Sequence, residues 1–407
     1  MKKAAVSPSI PLSEYAARRG QVLRSLKGAA GIVFAGDGGD HLLGAWRPNR
    51  HFQYLTGITN EPGAAVLFNP AAEDPSKRCV LFLKPLNAEL ERWDGYREEI
   101  GSGLRKKYGF EKIFRTTILS REIMTASRQC RRLACLHAFA MPDGAVSPDL
   151  ALFRKVTERS VGVSIEDRTS LLPQMRCCKS RAEVAMMRHA AEITAAGYHS
   201  AMMLMAPGVS ERAVQHALDD TYRSLGGSGP AYNSIVGSGM NATVLHYNAN
   251  VGMLAAGDLL LIDSGADFDG YACDVTRTFP VSGTFTKEQR KVYEVVLKAQ
   301  AAAIKATKVG AYFWQIDKAA RDVIESAGYG DAYIHGIGHN LGLEVHDVTP
   351  DGALKAGAVV TIEPGIYLPE QKMGIRIEDD VLVTASGNQV LTSIPKGIDE
   401  IEKAMRH

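Results

Sequence analysis

The feature that most limits what this chain can fold into is that its second half repeats itself. Residues 208–226 align with residues 310–328 at an offset of 102, pairing Ala217 with Ala319, Asp220 with Asp322 and Ser224 with Ser326. Both stretches read as helices closed by glycine. Next, Ile235-Val-Gly-Ser-Gly, running on to His246, parallels Ile334-His-Gly-Ile-Gly, running on to His346. Finally the segment from Gly257 through Asp263 to Gly265 parallels that from Gly357 through Glu363 to Gly365 at an offset of 100, with an acid replacing an acid. Each copy thus delivers a histidine and a carboxylate at a strand end. Two similar halves packed about a pseudo-twofold would set these groups around one cleft.

The rest of the chain bounds that reading. With 407 residues, 45% of them hydrophobic, the chain can bury a large core and favours two domains. Residues 13–26 predict a helix, and apolar runs at 31–35, 64–68 and 79–83 predict strands, an α/β pattern. After Pro173 the texture changes. Ser180 with Glu183 forms a capping-box signature, and Val184, Met187, Ala191, Ala195, Tyr198 and Met202 mark one helical face. The domains expected are therefore residues 1–174 and 175–407. Lys plus Arg (47) nearly balances Asp plus Glu (45), so charge makes no case for a nucleic acid or membrane partner. The six cysteines, at 79, 130, 135, 177, 178 and 273, lack metal spacing and read as free thiols. The start, Met1-Lys2-Lys3, leads into no apolar core, and no run of roughly 18 apolar residues exists, so a cytoplasmic protein is expected.

Asp263 and Asp274 flank an Asp269-Gly270 hairpin signal, and residues across a hairpin share a sheet face, so both carboxylates can converge on one ion. Glu363 and Glu378 repeat the device, with residues 369–374 as the turn. Four such carboxylates in an apolar-walled site stay ionised only beside cations, since an unpaired buried charge costs several kcal/mol, to order of magnitude. Two divalent ions answer that need. Four carboxylates and one imidazole, for which His339 is the candidate, suit manganese, cobalt, iron or zinc. Metal coordination brings a water's pKa down to about 7, so hydrolysis is the predicted reaction. A solitary histidine or strand-end acid is more often structural. The grouping of His335, His339 and His346 argues otherwise, whereas His41, His51, His137, His189, His199, His216 and His407 lack such company. Asp267 and Asp269 read as turn residues, and Gly237-Ser-Gly239 as a tight backbone turn.

Ile262-Asp-Ser-Gly265, Asp274-Val-Thr-Arg-Thr-Phe279, His335-Gly-Ile-Gly-His339, Val345-His-Asp347, Ile362-Glu-Pro-Gly-Ile-Tyr367 and Arg376-Ile-Glu378 resemble the Xaa-Pro peptidases, aminopeptidase P and prolidase, of the pita-bread metallopeptidase family M24. Asn49-Arg-His-Phe-Gln-Tyr-Leu-Thr-Gly57 and Glu91-Arg-Trp-Asp-Gly-Tyr-Arg97 resemble the creatinase-type N-terminal domain of aminopeptidase P. The fold implied is an α/β creatinase-like domain followed by an α+β pita-bread domain with an internal pseudo-twofold repeat. The resemblance implies that Asp263 binds one metal, that Asp274 and Glu378 bridge both, and that His339 and Glu363 complete the other sphere. It makes Glu363 a proton shuttle and sets His246 and His346 beside the scissile peptide. His335 would line the pocket after that bond, and Arg376 would orient Glu378 or meet a substrate carboxylate. Substrates would be proline-containing peptides or dipeptides, and the assembly a homodimer or homotetramer. Removal of an N-terminal residue before proline is favoured by the N-terminal motifs. Dipeptide-restricted prolidase is the first alternative, and a metal-free creatinase-like or non-catalytic binding protein the second, which the presence of all five ligand types disfavours.

Overall fold

The computed structural model describes residues 7–37 and 46–406, so the Met1-Lys2-Lys3 start, His41 and His407 lie outside the described residues. Its chain divides into two compact units, Ile10–Arg176 and one beginning at Cys177. In the first, the helix is Leu12–Ser25, and the three expected apolar runs form the strands Ala30–Phe34, Ala65–Phe68 and Cys79–Leu83. Three further strands, Lys112–Arg115, Arg132–Cys135 and Ser164–Asp167, complete a six-stranded mixed sheet. Ile32, Leu67, Phe82, Ile123, Leu133 and Phe153 belong to its core. Asn49 caps the Arg50–Thr56 helix by accepting from the His51 N–H, and Gly57, at φ 69°, ends it.

In the second unit, Ser180 and Glu183 form the expected capping box on the Arg181–Leu204 helix. Met187, Ala191, Tyr198 and Met202 are buried as predicted, but Val184 and Ala195 are only half-buried. Met186, Ala190, Ile193 and Gly197 widen the buried face, because this helix packs on more than one neighbour. At Gly197 a Cβ would lie 2.3 Å from the Tyr222 ring, so glycine lets the Glu211–Ser224 helix approach.

The repeat is visible in the hydrogen bonding as well as in the elements. The Glu211–Ser224 and Phe313–Ser326 helices correspond at the offset seen in the sequence. Ahead of each, a glycine N–H donates to a distant leucine carbonyl, Gly208 to Leu254 (2.8 Å) and Gly310 to Leu354 (2.9 Å). Each leucine N–H donates back, to Val209 and Ala311 respectively. The strands Leu259–Asp263 and Val359–Ile362 likewise correspond, and pair antiparallel with Thr276–Pro280 and Asp379–Thr384. Each pair continues into a smaller hairpin. The first turns at Asp269 and Gly270, both at positive φ as a two-residue hairpin turn requires, and the second turns through Pro369–Gln371 and Lys372. One apolar core holds residues of both copies, among them Leu260, Ile262, Phe279, Val360, Ile362 and Val381.

Arg277 joins the two copies. Wholly buried on the Thr276–Pro280 strand, it donates to the Asp379 carboxylate (2.6 Å) and to the Glu378 carbonyl on the opposite copy. All six cysteines are free, and among the described residues no helix is long and apolar enough to cross a membrane.

Candidate metal centre

Strand register decides which acids meet. Asp263 faces Thr276, which leaves Asp274 two positions along the same face, so these carboxylates form a diagonal pair. On the other copy Ile362 faces Asp379 and Gly365 faces Arg376, so Glu363 and Glu378 are directly opposite. The hairpins also need close backbone contact. A Cβ at Gly265 would lie 1.8 Å from the Cys273 carbonyl oxygen.

These four carboxylates line one cavity of about 660 Å³ together with His246, His335, His339, His346 and Arg376. Every site residue expected from the sequence is thus in the same wall. Oxygen or nitrogen atoms of Asp274, His339 and Glu378 fall within 4.8 Å of one another. His339 Nε2 is 3.5 Å from Asp274 Oδ2 and 3.6 Å from Glu363 Oε1. Its ring contacts His346 edge-on, with centroids 4.2 Å apart. Backbone geometry holds His339: its N–H donates to Thr361 Oγ1 (3.0 Å), and Nδ1 lies 3.1 Å from the Asn340 carbonyl, which leaves Nε2 facing the carboxylates.

Arg376 is the only Lys or Arg among the described residues lining the cavity. Its guanidinium donates to Asp263 (2.7 Å), to the Tyr367 hydroxyl (2.8 Å) and to Thr276 Oγ1 (3.0 Å). The family resemblance implies that Arg376 would orient Glu378 or meet a substrate carboxylate. Here Thr276 stands between Arg376 and Glu378, donating its hydroxyl to Glu378 Oε2 (2.7 Å). His335 Nε2 lies 2.9 Å from the Tyr367 hydroxyl. Tyr232 escaped the sequence reading: its hydroxyl lies 2.6 Å from Asp263 Oδ1 and 2.5 Å from Asp274 Oδ1. Nothing in the irregular stretch around Tyr232 marks it, whereas Tyr367 sits inside a quoted motif and only its role was missing.

The electrostatics fit a cation site. Burial, then the neighbouring Asp263, pushes the Asp274 carboxyl well above its usual range. Burial, then Asp274 and Glu363, does the same to Glu378, and burial raises Glu363 to about 7 against the pull of Arg376. Burial lowers His339 to about 4, so the imidazole is neutral and its lone pair is available. Crowded carboxylates beside a neutral imidazole form a donor set that multiply charged cations reconcile, the one guanidinium offsetting only part of the negative charge.

Residues 185–385 match metallopeptidase family M24, and residues 15–133 match the aminopeptidase P N-terminal domain. A Xaa-Pro aminopeptidase of Haemophilus influenzae is 36% identical over 398 residues, covering 88% of each chain. The chain belongs to metallopeptidase family M24. Among solved structures, the Pseudomonas aeruginosa aminopeptidase PepP is 32% identical with a TM-score of 0.88, covering 97% of this chain and 98% of its own. Escherichia coli aminopeptidase P, solved with the inhibitor Pro-Leu, is 28% identical with a TM-score of 0.86, covering 98% of both chains. As an M24 member, the chain combines an aminopeptidase P N-terminal domain with a pita-bread domain, and the family implies divalent metal ions at the site described above.

Proposed function

We propose that this M24 hydrolase is a metal-dependent Xaa-Pro aminopeptidase that releases an N-terminal residue preceding proline. The observation that carries this reading is the single cavity uniting four carboxylates, His339 and the flanking His246 and His346. Likeness to Xaa-Pro aminopeptidases along both domains, rather than to the catalytic domain alone, favours it over a dipeptidase. Two divalent ions would be held by Asp263, Asp274, His339, Glu363 and Glu378. Such ions supply charge that polarises a carbonyl and makes water a nucleophile at neutral pH.

The chain's own groups do the rest. Glu363, whose Oε1 lies 3.6 Å from His339 Nε2, takes a proton from the attacking water and delivers it to the leaving nitrogen. His246 and His346 line the cavity and stabilise the negative charge that develops on the scissile carbonyl. His335 and Arg376 line the cavity as a wall for the proline ring, joined from behind by the Tyr367 hydroxyl, which bonds both. Proline lacks an amide N–H, so its recognition depends on ring shape.

Manganese is the proposed metal, because oxygen donors outnumber nitrogen. Six free cysteines suit the reducing cytoplasm, the proposed compartment. A homodimer or homotetramer is proposed on the resemblance to the family alone. The test is release of free alanine from Ala-Pro-Ala and from Ala-Pro by metal-stripped protein, with and without manganese. Manganese-dependent cleavage of the tripeptide is expected. Cleavage of the dipeptide alone would make the protein a prolidase, and cleavage of neither would favour a binding module.

A further inference from the structure

His246 stands in the cavity wall on a segment without a strand or an α-helix, between the Ile235–Ser238 and Leu259–Asp263 strands. Leu245 and Asn248 of the same segment also line the cavity. A segment of this kind keeps a side chain in register only if other groups tie it down. The Tyr247 hydroxyl, accepting from the Asn241 amide and the Val251 N–H, and Asn250, bonded to Val236 and Ser234, tie it in part, and one buried carboxylate holds its two ends.

Glu211, the first residue of the Glu211–Ser224 helix, is wholly buried and does not line the cavity. Its Oε1 accepts from the Ser238 N–H (2.8 Å), the Ser238 hydroxyl (2.9 Å) and the Asn241 amide (3.0 Å). Its Oε2 accepts from the Gly252 N–H (2.7 Å), and its own N–H donates to the Gly252 carbonyl (3.0 Å). One side chain therefore grips the segment on both sides of His246. Gly252 is needed for this grip, because a Cβ there would lie 2.7 Å from Glu211 Oε1 and 2.8 Å from the Asn241 amide nitrogen. Every donor is uncharged and the helix N-terminus adds its dipole, so the carboxylate is satisfied without a cation.

We propose that Glu211 is a positioning residue for His246, acting on the reaction through that imidazole while touching neither substrate nor metal. The inference rests on the Xaa-Pro aminopeptidase reading. An ionised carboxylate only accepts hydrogen bonds, whereas the amide of Glu211→Gln brings an –NH₂ against N–H donors, so part of the grip fails.

The test is a double-mutant cycle on the manganese-loaded full chain with Ala-Pro-Ala, comparing wild type, E211Q, H246A and E211Q/H246A. Metal content and thermal melting are measured on each. E211Q is expected to lower kcat by up to ~10²-fold, the scale of a catalytic group misplaced from a distance. KM and metal content should stay near wild type. In the H246A background the same change should move kcat by less than about twofold, because the residue it positions is gone. An equal loss in both backgrounds would overturn the inference, as would unchanged kcat in E211Q. Should E211Q fail to fold, Ser238→Ala removes one donor and keeps the backbone bond. A loss of kcat in S238A that disappears beside H246A supports the inference, and wild-type kcat in S238A overturns it. Wild type inactive on Ala-Pro-Ala would sink the Xaa-Pro reading and the inference together, whereas active wild type with unaffected E211Q would sink the inference alone.

Discussion

Tyr232 holds Asp263 and Asp274 through one hydroxyl, although Asp263 ends one strand and Asp274 lies just before the strand paired with it. Removing that hydroxyl in Tyr232→Phe should loosen both carboxylates, lowering metal affinity by the equivalent of roughly 1.5–3 kcal/mol, the range for a hydrogen bond to a charged group. Isothermal titration with manganese reads this directly, and unchanged affinity would show that Tyr232 only fills space. By contrast, His246→Ala should keep its metal but lower kcat by something like 10²-fold or more, as for loss of a charge-stabilising or proton-transferring group. Steady-state kinetics beside elemental analysis separates the two effects, and loss of metal would move His246 into the ligand shell. The candidate acids are legible in the sequence because each copy ends a strand on an acid, Asp263 or Glu363 at an offset of 100, and carries a second acid, Asp274 or Glu378, beyond a turn. Tyr232 and Thr361 are not legible, and for Thr276, inside a quoted motif, only the role is missing. They contact the site through a tertiary geometry that no local period encodes, and each residue type is common on strands and in loops.

At the level of elements, the two hairpins present the acids, and Arg277 couples the copies that carry them. Its guanidinium reaches Asp379 from the opposite copy, and Lys396, Gln300 and Thr392 share that carboxylate. Replacing Arg277 with Met strips a wholly buried carboxylate of its principal partner, which should cost about 3–5 kcal/mol of stability. Urea unfolding measures it, and a cost within about 0.5 kcal/mol would mark the pair as dispensable. The first hairpin is readable from Asp269-Gly270, since only a few residues tolerate positive φ at both turn positions. The strands Lys112–Arg115 and Ser164–Asp167 are not readable, because they are short, polar and placed at the sheet edges, where alternation is weakest.

Across the whole molecule, folding gathers like charges in one cavity, so stability, metal and pH are linked. Without metal, Glu363 is raised from 4.5 to about 7, and Asp274 and Glu378 are raised as well, mainly by burial. A carboxyl that holds its proton more tightly when folded helps folding below its unfolded pKa, and that help is lost as pH rises through the folded value. Metal-free protein should therefore lose stability as pH rises from about 4.5 towards 7, and manganese should raise Tm more at pH 8 than at pH 5. Differential scanning fluorimetry across pH checks this, and a metal-induced shift that shrinks with pH would contradict the linkage. The pseudo-twofold that brings the acids together is the most legible feature at this scale, whereas which groups lie diagonal and which opposite depends on strand register. The most direct measurement is anomalous diffraction at the manganese edge from crystals grown with manganese. Two peaks roughly 3.5–4 Å apart, enclosed by Asp263, Asp274, His339, Glu363 and Glu378, are predicted; no peak within that cluster, or a single one coordinated elsewhere, would contradict the dinuclear assignment.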